Sequence, residues 1–275
     1  MKQQLDKTKI WHSPHLQGAL FLKADFANQR FDRHIHDEFA IGVIESGCQA
    51  FTYDNGRRLD MPGGSVAMIS PGMVHEGWPG GERGWTYRMF YPAAELVRSV
   101  FEDVFTTPIA PTVHLPVVQD PRLYGYLSRL HARSEDPNAD PLEIETIHMD
   151  VVCDMFSRHA GVSRPTQERS HASGLRRARE IIEGRFDQRV TLDDLSQQTG
   201  LKKFSLLRQF KALYGLPPHA FLKHVRVRRA REMIQIGLSL AEVAASTGFT
   251  DQAHMTHAFR RTVGFTPGAL AHSRT

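Results

Sequence analysis

His34-Ile35-His36 sets two imidazoles two residues apart, and in an extended strand alternate side chains share a face. A third imidazole, His75, follows the turn-forming pair Pro71-Gly72. Rings at this spacing have two uses. They can hold zinc or iron with open positions, or hydrogen-bond an organic molecule at the mouth of a cavity. Tyr53, Glu76, Trp78, Tyr87 and Arg88 supply further aromatic and polar groups. Small-molecule pockets use a few placed polar groups among aromatics, and an arginine can clamp a carboxylate through two parallel hydrogen bonds. Residues 85–90, WTYRMF, alternate, so Trp85, Tyr87 and Met89 face one way and Thr86, Arg88 and Phe90 the other. The candidate effector site is His34, His36, His75, Trp78, Tyr87 and Arg88, and no residue is assigned a catalytic role.

The elements that must position these groups are short. Residues 30–92 hold brief apolar runs separated by Gly and Pro, with Asp54-Asn55-Gly56 as a hairpin turn. Such spacing predicts an antiparallel sandwich or barrel. Helical patterns follow at 93–105, 120–133 and 142–159. The last carries Leu142, Glu145 or Thr146, Met149, Val152, Cys153 and Phe156 on one stripe, either packed within its own domain or paired with a second copy. Residues 161–173, GVSRPTQERSHAS, have no apolar periodicity and read as a linker. Beyond them the pattern is helical only.

A length of 275 residues predicts two domains, here 1–160 and 174–275. The first carries 15 Lys+Arg against 21 Asp+Glu, the second 17 against 8. A basic half beside an acidic one points to different partners, with a polyanion for the basic half. Two cysteines, Cys48 and Cys153, exclude a disulfide framework or a Cys-rich zinc module, and no apolar run reaches the ~18 residues of a membrane helix. No secretory signal is read at the N-terminus, and the expected location is the cytoplasm.

The helical half contains an internal repeat, residues 192–222 against 240–270. Leu192 matches Leu240, Thr199-Gly200 matches Thr247-Gly248, Phe210-Lys211 matches Phe259-Arg260, and Pro218 matches Pro267. In each copy a short helix, preceded by Thr191 or Ser239 as cap, ends at a Thr-Gly pair. A tight turn and a second helix follow, which is a helix-turn-helix. The second helices are predicted at about 203–214 and 251–262, joined through one long helix over 218–236. Phe210, Phe249 and Phe259 are expected in the core.

These residues resemble the AraC/XylS family of transcription regulators. Gly200-Leu201, Leu207-Arg208-Gln209-Phe210-Lys211, Gly215, Pro217-Pro218, Arg226 and Arg229-Ala230 carry the match in the first repeat. Glu242-Val243-Ala244, Gly248-Phe249, Phe259-Arg260, Gly264 and Thr266-Pro267 carry it in the second. The resemblance implies two helices reading successive major grooves of double-stranded DNA. The base-facing candidates it implies are Lys203, Phe204, Leu207 and Arg208 on the first, and Gln252, Ala253, Thr256 and His257 on the second. Arg208 suits guanine and Gln252 adenine, while Lys202, Lys211, Arg260 and Arg261 suit phosphates.

The front half looks like a cupin barrel, with HxH on one strand and PGxxH on another. Metal-binding cupins usually add a Glu shortly after HxH. Here the positions four and five beyond His36 are Ala40 and Ile41, so no metal and no cofactor are expected, with His34, His36 and His75 as the alternative ligand set. The expected fold is α+β in two domains: a cupin-like β-barrel with accessory helices, then an all-α domain with two helix-turn-helix motifs. The expected function is a homodimeric, effector-sensing regulator that alters DNA binding or recruits RNA polymerase. The competing reading is a metal-dependent cupin enzyme with a DNA-binding tail.

Overall fold

The computed structural model describes residues 6–53, 56–105, 112–160, 172–263 and 266–272. They fall into two units. The first runs to Pro137 and resumes from Ile147 to 160. The second takes Asn138–Thr146 and everything from 172 onward. Most of the expected linker, 161–171, lies outside the described residues, as do Asp54, Asn55 and Gly264.

The first unit is antiparallel throughout. Its strands are β1 (Lys7–Ser13), β2 (Ala19–Phe26), β3 (Phe31–His34), β4 (Ala40–Tyr53), β5 (Arg57–Pro62), β6 (Val66–Ile69), β7 (His75–Pro79), β8 (Trp85–Tyr91) and β9 (Val117–Val118). The main path runs β1-β2-β8-β4-β6-β9, while β4 also pairs with β5 and β7, and β7 with β3. The long β4 therefore belongs to two sheets. Ala40–Val43 pair with β6 and Ile41–Gly47 with β8; Cys48–Tyr53 pair with β5 and Gln49–Tyr53 with β7. An irregularity between Ile44 and Ser46 lets the strand change sheets. The ladder among the described residues does not close on itself, which is consistent with the expected cupin-like barrel or a jelly roll.

Alternation sets its core. Trp85, Tyr87 and Met89 of β8 pack with Ala24, Phe26, Ala40, Ile44, Phe51, Met61 and Ile69. The opposite face of the same strand sends Phe90 against Phe21 and His148. Helix α1 (Ala94–Val104) follows, then α2 (Pro121–Glu135), which starts at a side-chain cap from Asp120 and docks on β8 through His131 Nε2 and the Met89 carbonyl, 3.0 Å apart. Helix α3 (Pro141–His159) begins among residues grouped with the second unit and ends in the first. Leu142, Thr146, Met149, Val152, Cys153 and Phe156 are all buried within the chain. The stripe that was open to self-pairing is already covered.

The second unit contains α4 (Ala172–Gly184), α5 (Leu192–Thr199), α6 (Lys203–Tyr214), α7 (Pro218–Gln235), α8 (Leu240–Ser246), α9 (Gln252–Val263) and α10 (Pro267–His272). The repeat is visible in its caps. Thr191 and Asp194 form a reciprocal capping box before α5, and Ser239 and Glu242 form the same box before α8. Gly200 (φ 68°) and Gly248 (φ 73°) both take the left-handed conformation after the first helix of each copy. Val227, Ala230, Ile234, Val243, Ala244, Phe249, Met255, Ala258 and Phe259 form the core of the second copy. Phe210 packs edge-on against Phe221 in the first.

Candidate functional site

Two surfaces carry the candidate chemistry, one in each unit. In the first unit, β3 and β7 pair antiparallel with His34 opposite His75. His36 lies two residues past the end of β3, outside the paired strand. The three rings still converge. Their centroids are 4.3 Å apart for His34–His75, 4.8 Å for His34–His36 and 5.0 Å for His36–His75. One ring nitrogen from each lies within 4.8 Å of the others.

The histidines sit in the wall of a cavity of about 130 Å³. Its other walls come from Phe31, Ala40, Gln49, Phe51, Met61, Ala67, Ile69, Gly77, Tyr87, Met89 and Tyr91. No carboxylate among the described residues lines it. Burial, opposed by a hydrogen bond to the Met73 carbonyl, lowers His75 to about 4, and burial with the neighbouring His34 lowers His36. Burial raises Tyr91 to about 12 and pushes Tyr87 well above the usual phenol range. Burial therefore favours the neutral forms of His36 and His75 and the protonated phenols of Tyr87 and Tyr91.

Two expected members of this site lie elsewhere. Arg88 faces away from the three imidazoles on β8, donating from Nε to Glu45 Oε1 at 2.6 Å, with Glu135 at 3.7 Å. It does not share the cavity. Trp78 and Glu76 alternate out of the cavity on β7, Trp78 beneath the Arg58 guanidinium and Glu76 accepting from Thr52. Tyr53 packs against the core without lining the cavity. Tyr91, Gln49 and Phe51 join the site, and only Tyr91 continues an alternation readable from the sequence.

The second surface is built by α6 and α9. On α9, Met255, Ala258 and Phe259 turn inward. Gln252, Ala253, Thr256, His257 and Arg260, with Thr266 beyond the helix, line one open concavity. Asp251 caps the helix by accepting from the His254 amide at 2.7 Å. On α6 the picture differs. Arg208 and Lys211 are exposed and Phe204 is half-buried, but Leu207 is only 8% exposed. Leu207 falls about 60° around the helix from Phe210 at 100° per residue, so it shares the buried stripe rather than the reading face. Lys203 pairs with Asp193 at 2.7 Å. The exposed face of α6 is thus Phe204, Arg208 and Lys211.

Arg226 of α7 is a buried positioning residue. Its Nε donates to the Phe186 carbonyl at 2.7 Å, Nη2 to the Gln188 carbonyl at 2.9 Å and Nη1 to Asp140 at 3.3 Å. It fixes the backbone between α4 and α5, just ahead of the first helix-turn-helix.

Family models match residues in both units. Residues 18–152 match the model of the AraC-like ligand binding domain, and residues 195–273 match that of a helix-turn-helix domain. The uncharacterized HTH-type transcriptional regulator YbfI of Bacillus subtilis is 27% identical over 228 residues, 82% of each chain. The HTH-type transcriptional regulator MtrA of Neisseria gonorrhoeae is 33% identical over 78 residues, 28% of this chain and 26% of that protein. Among solved structures, the C-terminal domain of AraT, a response regulator from Geobacillus stearothermophilus, is 25% identical with a TM-score of 0.36, covering 39% of this chain and 90% of that one. The relatives are regulators rather than enzymes, and no described helix is long and apolar enough to cross a membrane. With a ligand-binding domain in front and a DNA-binding helix-turn-helix domain behind it, the chain belongs to the AraC family of transcriptional regulators.

Proposed function

We propose that the chain is a transcription regulator whose effector enters the cavity walled by His34, His36, His75, Tyr87 and Tyr91, and whose occupancy changes how the second unit binds its operator. The observation that carries this reading is the cavity itself: aromatic, about 130 Å³, lacking carboxylates and supplied with imidazole and phenol groups. Its size suits a small acid or amide rather than a drug-sized ligand, for which about 300–1,000 Å³ is usual. Base reading falls to Arg208 on α6 and to Gln252, Ala253, Thr256 and His257 on α9. Lys211 and Arg260 take phosphates. A homodimer and contact with RNA polymerase are part of the proposal on the family resemblance. The face of α3 does not carry the dimer, because it is covered within the chain.

The test is a thermal-shift screen of the full chain with amino acids, organic acids, sugars and amides, followed by footprinting with and without any hit. A ligand that binds only the folded state raises the unfolding temperature by mass action. The reading requires a hit that also changes operator affinity. A hit that leaves both affinity and transcription unchanged defeats it.

A further inference from the structure

The three imidazoles are arranged more tightly than a lining of ring donors needs. His34 Nδ1 lies 2.6 Å from the Asp32 carbonyl oxygen, and His75 Nδ1 lies 2.8 Å from the Met73 carbonyl oxygen. A carbonyl oxygen only accepts, so in both rings Nδ1 carries the proton and Nε2 is left with its lone pair. Backbone carbonyls holding the far nitrogen are the arrangement that orients metal-ligating histidines. His34 Nε2 and His36 Nε2 are 3.3 Å apart. Bonds of about 2.0–2.1 Å at a tetrahedral angle put two ligand nitrogens about 3.3–3.4 Å apart, which is this edge. The three ligand nitrogens lie within 4.8 Å of one another, and the His36 carbonyl accepts from the Gly72 amide at 2.9 Å, so rotation of the side chains rather than movement of the backbone closes the triangle.

We propose that His34, His36 and His75 hold a divalent transition-metal ion of the zinc class, whose open positions take the carboxylate of a small organic effector. Three neutral imidazoles suit zinc, nickel, copper or ferrous iron and leave the ion's charge uncompensated. No Asp or Glu among the described residues lines the cavity, and Glu38 acts on His36 only electrostatically from outside that lining. An anionic oxygen ligand compensates the charge, and the Tyr87 and Tyr91 walls provide phenols beside it. The missing carboxylate then becomes the vacancy that the effector fills. The inference rests on the effector reading above and adds the ligand class. The competing arrangement is an apo cluster in which His36 Nε2–H donates to His34 Nε2.

The experiment uses the tag-free full chain stripped with chelator. Zn²⁺ is titrated by calorimetry and Co²⁺ by its visible absorption, which reports coordination independently of stability. The expected result is one equivalent per chain, a d–d band of a four- or five-coordinate site, and affinity weakened at least tenfold in His36→Ala and His34→Gln. His36 is only half-buried, so His36→Ala keeps the fold if any variant does, and circular dichroism checks it. Absence of a saturable equivalent, or equal binding by His36→Ala, overturns the inference. The carboxylate screen is then run with Zn²⁺ and with excess chelator. Shifts that need Zn²⁺ support the inference. Effector shifts that persist in chelator and in His36→Ala overturn the metal and leave the sensor reading intact. One equivalent of bound Zn²⁺ with no organic ligand of any class defeats the sensor reading and, with it, the carboxylate at the open positions.

Discussion

Glu145 is the clearest single-residue test of the structure. Its carboxylate accepts the Leu192 amide at 2.7 Å, at the start of α5. Burial raises it from 4.5 to about 7, against the pull of that hydrogen bond. The folded state holds this proton more tightly than the unfolded chain does, so stability falls as pH rises from about 4.5 to about 7 and then levels off. The cost is on the order of 3 kcal/mol at about 1.4 kcal/mol per pH unit. Glu145→Gln keeps an acceptor for Leu192 and removes the charge, so urea unfolding of the variant should lose this slope across pH 5–8. A slope unchanged from the parent would show that Glu145 is not shielded. At the DNA face, Arg208→Ala should cost about 1–3 kcal/mol at one base pair and relax selectivity there, read by competition among operator variants. A uniform loss across all sequences would make Arg208 a phosphate contact. The site residues were only partly legible because alternation gives relative facing, not absolute facing. Tyr87 and Arg88 are neighbours on β8, and both faces of that strand are covered, one by the sheet core and one by helices. Nothing in the sequence of β8 says which face meets the cavity.

At the scale of elements, the helices were read closely. The prediction of 203–214 matches α6, and 218–236 matches α7 to within a residue. Caps and Thr-Gly stops are local chemistry, so sequence exposes them. The sheet exchange of β4 depends on pairings far apart in the chain and was not visible. The two stop glycines make a matched pair of tests. A Cβ at Gly200 meets nothing within 4 Å, so Gly200→Ala costs only the left-handed strain, about 1–2 kcal/mol. A Cβ at Gly248 comes within 2.8 Å of the Asp187 carbonyl oxygen, so Gly248→Ala must also displace backbone. Chemical denaturation should therefore show a larger loss for Gly248→Ala than for Gly200→Ala. Equal losses would mean that the Asp187 segment yields freely. Thr191→Ala removes one arm of a capping box and should cost about 0.5–2 kcal/mol in the same assay.

At the scale of the whole molecule, charge divides the labour. Residues 174–275 carry the excess of Lys and Arg and residues 1–160 the excess of Asp and Glu, so DNA affinity should depend steeply on salt through the second unit. Lys211→Ala should flatten the plot of log affinity against log salt by about one unit, measured by fluorescence anisotropy with a labelled operator. An unchanged slope would remove Lys211 from the phosphate set. An expected division into two domains was readable from charge and periodicity. The grouping of Asn138–Thr146 with the second unit was not, because the helix containing most of that stretch shows one unbroken pattern.

The surfaces of α6 and α9 differ in how freely they can change. On α6, Leu207 is core and Lys203 is tied to Asp193, so altering that surface disturbs packing or an ion pair. On α9, Gln252, Ala253 and His257 are exposed and Thr256 is half-buried, while Met255, Ala258 and Phe259 hold the helix in place. Exposed positions away from caps and core usually tolerate substitution within about 0.5 kcal/mol. A library randomised at 252, 253, 256 and 257 should therefore yield mostly folded proteins with diverse operator preferences, while the same library at 203, 204, 207 and 208 loses many members to unfolding. If both helices read the operator, a change of specificity costs less stability on α9 than on α6.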